Sequence, residues 1–153
     1  MTSAPSHRPV VVGVSETGSA RAAIMMAATE AQYRQAPLIA VMAYHADSTL
    51  GAPAARPVAT LRTAGDQRTA AETLLSDEVS AALGDRSPKP ELRVVQGLAG
   101  RKLVETAHSA GAQLIVLTKR TRTPALLGTV SQYVLRNAPC PVLVVPDTRG
   151  RHS

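Results

Sequence analysis

A chain of 153 residues, 44% hydrophobic and 18% charged, is one domain's worth of sequence and not a disordered polyelectrolyte. Three Tyr, no Phe and no Trp leave the core to aliphatic residues and weigh against a base-stacking platform for nucleic acid; a single Cys excludes an intrachain disulfide framework and a Cys-rich zinc site. The net charge of +6 is dispersed apart from Lys119, Arg120 and Arg122 and reads as a solvated basic surface.

Residues 1–8 are small and polar and are expected to form a flexible tail, as are 147–153, leaving 9–146 as one domain. No apolar run reaches the roughly 18 residues of a membrane span. The opening residues carry no apolar leader, so a cytoplasmic setting is expected. The Val-rich run 9–15, PVVVGVS, is the pattern of a strand buried on both faces of a parallel sheet. Ser15 to Gly18 break it, and Ser19 is the expected N-cap of a helix over 20–35 with Ala23, Met26, Ala27 and Ala31 inward. A second buried strand is expected over 37–45. Gly51, Pro53 and Pro57 make 46–65 a long loop, of a length uncommon inside a domain unless functional or mobile.

Asp66 is expected to cap a helix over 67–83, with Ala71, Leu74, Leu75, Val79 and Leu83 as its apolar stripe and Gly84 at its end. The run 91–95 alternates and reads as a strand more exposed on one side. A third helix is expected over 100–110, ended by Gly111, with Leu103, Val104 and Ala107 inward. A buried strand follows at 112–118, then a basic loop at 119–127, a helix at 128–137 and a last strand at 141–145. Such strict alternation implies parallel strands with right-handed crossovers and helices on both faces. Ligands of these open sheets bind beyond the carboxyl ends of the strands, where the strand order reverses. The loops expected at that edge are 15–18, 44–65 and 118–128.

No catalytic constellation is present. His7 and His152 lie in the tails, His108 falls on a solvent face, and His45 ends the second strand; there is no HExxH, no GxSxG and no Cys/His pair at ligand spacing. Asp47 and Glu16 are the acids near the ligand edge. No catalytic residue and no metal site are therefore expected, and slow ATP hydrolysis is the most that enzyme chemistry would amount to. Cys140, between two prolines, reads as a small packed hydrophobe. The informative segment is LTKRTRTPALLGTVS, 117–131. A strand end and a basic loop lead into Gly128-Thr129-Val130-Ser131, which opens a helix. Helix-start N–H groups attract anions, Gly128 lets the backbone come close to a phosphate, the Thr129 and Ser131 hydroxyls add donors, and Lys119, Arg120 and Arg122 bring positive charge in the same loop. A capped helix after a solvated loop would read the same way.

Three stretches carry a resemblance: 9–31, 94–118 and above all GTVSQYVLRNAPCPVLVVP at 128–146. Together they resemble the universal stress protein family over about 9–146. The resemblance implies an α/β fold, a Rossmann-like five-stranded parallel sheet in the order 3-2-1-4-5 of the adenine-nucleotide alpha hydrolase type. It implies a homodimer paired through the last strand, here 142–145. It implies a role in the stress response. Members that bind ATP carry Gly, two residues, Gly, nine residues, then Gly followed by Ser or Thr. Thr118 and Thr121 stand at the two leading glycine positions, Gly128-Thr129 keep the end, and the intervening loop is three residues short. Ser15 stands where those members carry Asp, and Ala43 matches the position whose backbone meets adenine. The cofactor-binding residues so expected are Ser15, Ala43, Thr118, Thr121, Gly128, Thr129, Val130 and Ser131. Because glycines let a backbone approach phosphate oxygens, the two threonines imply weaker or altered ATP binding. The alternative is an interaction protein of the same fold that binds no nucleotide, meeting its partner through the sheet edge and the basic loop. Nucleic acid and membrane are not expected partners.

Overall fold

The Val- and Ile-rich runs form strands, and the Ala- and Leu-bearing segments between them form helices that cross from one strand to the next. The structure is a computed structural model and describes residues 8–17, 20–45, 64–119 and 128–147. The strands are β1 (Val10–Gly13), β2 (Leu38–Tyr44), β3 (Glu91–Gln96), β4 (Leu114–Lys119) and β5 (Val142–Pro146); the helices are α1 (Arg21–Arg34), α2 (Ala64–Leu83), α3 (Ala99–Ala110) and α4 (Thr129–Asn137). All neighbouring strands run parallel, as the alternation of elements predicts, in the order β3-β2-β1-β4-β5 that the family resemblance implies.

The period of two along β1 divides the core. Val10 and Val12 pack with α1 and α2 on one face, and Val11 packs with α3 and α4 on the other. All three valines are fully buried, which explains a continuous rather than alternating apolar run.

Several local expectations are corrected. Helix α1 buries Ala23, Ile24, Ala27, Ala28 and Ala31, while Met26, expected inward, is exposed beside Met25. Apolar residues surround this helix, so the sequence does not fix its inward phase. On α2, Ala71, Leu75, Val79 and Leu83 are buried, and Leu74 lies at the margin of exposure. Asp66 is not the cap of α2 but an acid within its first turn, where the helix dipole favours it. The capping role expected of Ser19 lies outside the described residues, and the N-cap position of α1 is Ala20. Gly128 precedes α4 as its N-cap rather than opening it. Helix α1 ends on Gln35 in the left-handed conformation (φ 50°), a position the sequence did not flag. Helix α3 ends on Gly111 in the same conformation (φ 66°), as expected of a glycine there. Arg8, assigned to the leading tail, is tied to the domain: its Nε donates to the Gly111 carbonyl at 3.1 Å, and its own carbonyl accepts from Gln113 Nε2 at 2.6 Å.

The two sheet edges are β3 and β5. On β5, the Pro141 carbonyl accepts from the Ile115 N–H at 3.0 Å. Both backbone groups of a residue in a parallel strand point to the same side, alternating along the strand. With the Ile115–Val142 register, Leu143 and Val145 therefore face β4, and Val142, Val144 and Pro146 turn their backbones outward. Pro146, which has no N–H, sits where no ladder bond is lost within the sheet.

Candidate functional site

Strand order reverses at β1, since β2 lies on one side of it and β4 on the other. Beyond the carboxyl ends of these strands is a cavity of about 410 Å³. Its floor is apolar, made by Gly13, Val14, Val41, Leu103 and Leu117. Its polar wall is Ser15, Glu16, Thr17, His45, Thr118, Thr129 and Ser131.

The N-termini of three helices reach this cavity. Ala20 of α1, Ala99 of α3 and Gly128 of α4 all line it. The N-cap residues of these helices are Ala20, Leu98 and Gly128, and none makes a side-chain cap hydrogen bond. The first N–H groups of a helix lack intrahelical partners and carry the positive end of its dipole. A cavity that gathers three such ends suits an anion.

Of the eight residues expected to bind a cofactor, Ser15, Ala43, Thr118, Gly128, Thr129, Val130 and Ser131 line this cavity, and Thr121 lies outside the described residues. Ser15 shapes the turn after β1: its Oγ accepts from the Thr17 N–H at 3.2 Å and lies 3.1 Å from Thr17 Oγ1. The last β1–β2 ladder bond runs from the Val14 N–H to the Val41 carbonyl at 2.8 Å. Ala43, two residues further along β2, turns its backbone to the same side, past the end of β1 and toward the cavity. Gly128 is extended (φ −65°, ψ 165°) and its carbonyl accepts from the Gln132 N–H at 3.0 Å, so α4 starts with its dipole aimed at the cavity. Ser131 and Thr118 are buried, and Thr118 Oγ1 has no hydrogen-bond partner among the described residues. Lys119 ends β4, while Arg120 and Arg122 lie outside the described residues, as does most of the 46–65 loop.

The sequence did not point to the turn after β3. Gly97 (φ 139°) makes that turn, its N–H donating to the Tyr44 carbonyl at 2.9 Å, and it brings Ala99 to the cavity. A glycine directly after an alternating strand was the available signal. Leu103, expected only as core, is also part of the cavity floor. Among the described residues no cluster of His, Cys, Asp and Glu is built to hold a metal ion, and no helix is long and apolar enough to cross a membrane.

Similar proteins share this architecture. Universal stress protein Rv2623 of Mycobacterium tuberculosis is 29% identical over 149 residues, which is 96% of this chain and 50% of that protein. The chain thus spans about half the length of the curated relatives it matches. A crystal structure of a universal stress protein in complex with cAMP is 27% identical, with a TM-score of 0.65 over 93% of this chain and 98% of that one. A family member from Burkholderia pseudomallei is 25% identical, with a TM-score of 0.65 over 92% of this chain and 96% of that one. The protein from Archaeoglobus fulgidus in complex with dAMP, 21% identical with a TM-score of 0.52 over 91% of this chain and 98% of that one, shares the fold. The universal stress protein family pattern runs through residues 6–146, on the fold that its sequence motifs imply, and the chain belongs to that family.

Proposed function

We propose that this chain is a stress-response domain that binds an adenine nucleotide at the carboxyl edge of its sheet. The observation that carries the reading is the convergence of Ser15, Ala43, Thr118 and the Gly128–Ser131 segment on one cavity at the strand-order reversal. In this reading the backbone of Ala43 meets the adenine, and the start of α4 holds the phosphate with the Thr129 and Ser131 hydroxyls. The residues present suit such a ligand: an apolar floor for the base and three helix N-termini for the anion. The solved relative that is 27% identical and holds cAMP supports the same class of ligand. ATP falls within that class, and Thr121 would join the site from outside the described residues. Catalysis is no part of the proposal.

The proposal includes a homodimer paired through β5. The outward backbones of Val142 and Val144 offer the second ladder, and Val142, Leu143 and Val144 are half-buried in the single chain. Acid extraction of the purified protein tests the ligand. An adenine nucleotide in the extract, lost when Gly128→Val is purified in the same way, is the expected result. An extract free of adenine nucleotide, from a protein that also fails to bind one when it is supplied, would overturn the reading and leave the interaction protein as the account of this fold.

A further inference from the structure

Pro146 breaks the equivalence among the ways in which a second copy can pair with β5. Leu143 and Val145 turn both backbone groups to β4, and Val142, Val144 and Pro146 turn theirs outward. Val142 and Val144 each offer an N–H and a carbonyl. Pro146 offers a carbonyl alone, and its ring occupies the place of the missing N–H. A two-fold axis sets a strand antiparallel to itself, so outward groups must meet outward groups, and one position of the strand lies on the axis. That position fixes the register.

With Val144 on the axis, Val144 exchanges both bonds with itself, but Val142 meets Pro146, and each Val142 carbonyl faces a ring instead of a donor. With Val145 on the axis, Val144 meets Pro146 in the same way. With Val142 on it, Val144 falls opposite position 140, which precedes the strand. With Leu143 on the axis, Val142 of each copy faces Val144 of the other, and each such pair exchanges both N–H···O bonds. Every outward donor and acceptor of Val142 and Val144 is then paired, and Pro146 lies past the start of the opposing strand. Leu143 meets Leu143 in a non-hydrogen-bonded pair, the closer kind, on the face covered by α1, where the leucine of the single chain is half-buried. We infer that two copies of this chain pair with Leu143 on the two-fold axis. This rests on the proposed homodimer and adds to it the register and the residue at its centre.

The test is disulfide trapping in the full chain, with Cys140→Ala as the background so that no native thiol competes. Val142→Cys, Leu143→Cys and Val144→Cys are each oxidised with copper phenanthroline and read on a non-reducing gel, after circular dichroism has shown the native fold. A disulfide needs Cα atoms within about 7 Å, and a non-hydrogen-bonded pair sets them about 4.5 Å apart. Leu143→Cys is expected to become mainly cross-linked dimer. Val142→Cys and Val144→Cys, each displaced by two residues from its counterpart, are expected to stay monomeric on the gel. A mixture of the Val142→Cys and Val144→Cys chains, dissociated and reassociated together, is expected to cross-link, so the register is read even where Leu143→Cys does not fold. Cross-linking of Val142→Cys or Val144→Cys alone, as strong as that of Leu143→Cys or of the mixture, overturns the register while the β5 dimer stands. A wild type that sediments as a monomer, or a dimer that none of these cysteines cross-links, overturns the β5 interface and the register together.

Discussion

A β-carbon on Gly13 would lie 2.9 Å from Cδ2 of Leu103 and 3.1 Å from Cδ2 of Leu117. The last residue of β1 thus lets α3 lie close against the sheet, and Leu103, 3% exposed, fills the space that a side chain would take. Gly13→Ala should force Leu103 or Leu117 off its position, and both line the cavity. A loss of about 1–3 kcal/mol in unfolding free energy is expected, as for other overpacked cores, read by urea denaturation. Nucleotide affinity should fall in the same variant, since the displaced side chains have the cavity as their free space.

Helix α2 supplies a paired test of the packing. Leu75 is fully buried, whereas its neighbour Leu74 is 36% exposed. Leu75→Ala should cost about 2–5 kcal/mol, combining lost burial with a residual cavity. Leu74→Ala should cost well under about 1 kcal/mol, in line with partly exposed positions. Equal costs for the two would mean that α2 sits on the sheet with a different rotation.

The edge of β5 is open to a specific substitution. Val144 points its N–H away from β4, so Val144→Pro removes a donor from the outer edge and leaves the β4–β5 ladder intact. If the proposed β5 dimer forms, sedimentation should show it converting to monomer in this variant, with little change in circular dichroism. A dimer unaffected by this change would place the interface elsewhere.

Cys140 precedes β5 and is half-buried against the α3–α4 core. Burial pushes its thiol above the ordinary cysteine value, and the positive charge of Arg8 offsets only part of that shift. The folded state therefore favours the neutral thiol. Its contribution to stability is fully present below the ordinary thiol pKa and is lost as pH rises through the raised one. Disulfide exchange with an aromatic disulfide reagent at pH 8 should be slower in the native protein than in urea. Cys140→Ala should flatten the alkaline decline in stability.

The fold was legible because its signals are redundant. Val10 to Val12 and Leu114 to Leu117 are apolar without interruption, as only strands covered on both faces require. The glycines at 84 and 111 mark where helices stop. The rotation of each helix was less legible. Met25 and Met26 on α1, and Leu74 and Leu75 on α2, are adjacent apolar pairs, and periodicity alone does not say which member of a pair faces inward. Packing decides it: on α1 small alanines face the sheet and let the helix approach, leaving both methionines outside. The cavity was legible at Gly128 and Thr129, where strand, loop and helix start follow one another in sequence. Ala99 was not, because its place in the cavity depends on the turn made by Gly97 and not on any local motif.

If backbone N–H groups at the start of α4 hold the phosphate of an adenine nucleotide, titration of AMP into the wild type and Gly128→Val will separate the two proteins. A valine at this N-cap tolerates the extended backbone and costs the fold little, but it places a branched side chain over the amides of residues 129–131. Saturable one-to-one binding by the wild type and a loss of at least about tenfold in affinity for the variant at unchanged fold are expected. Equal affinities in the two proteins would contradict that role for the start of α4.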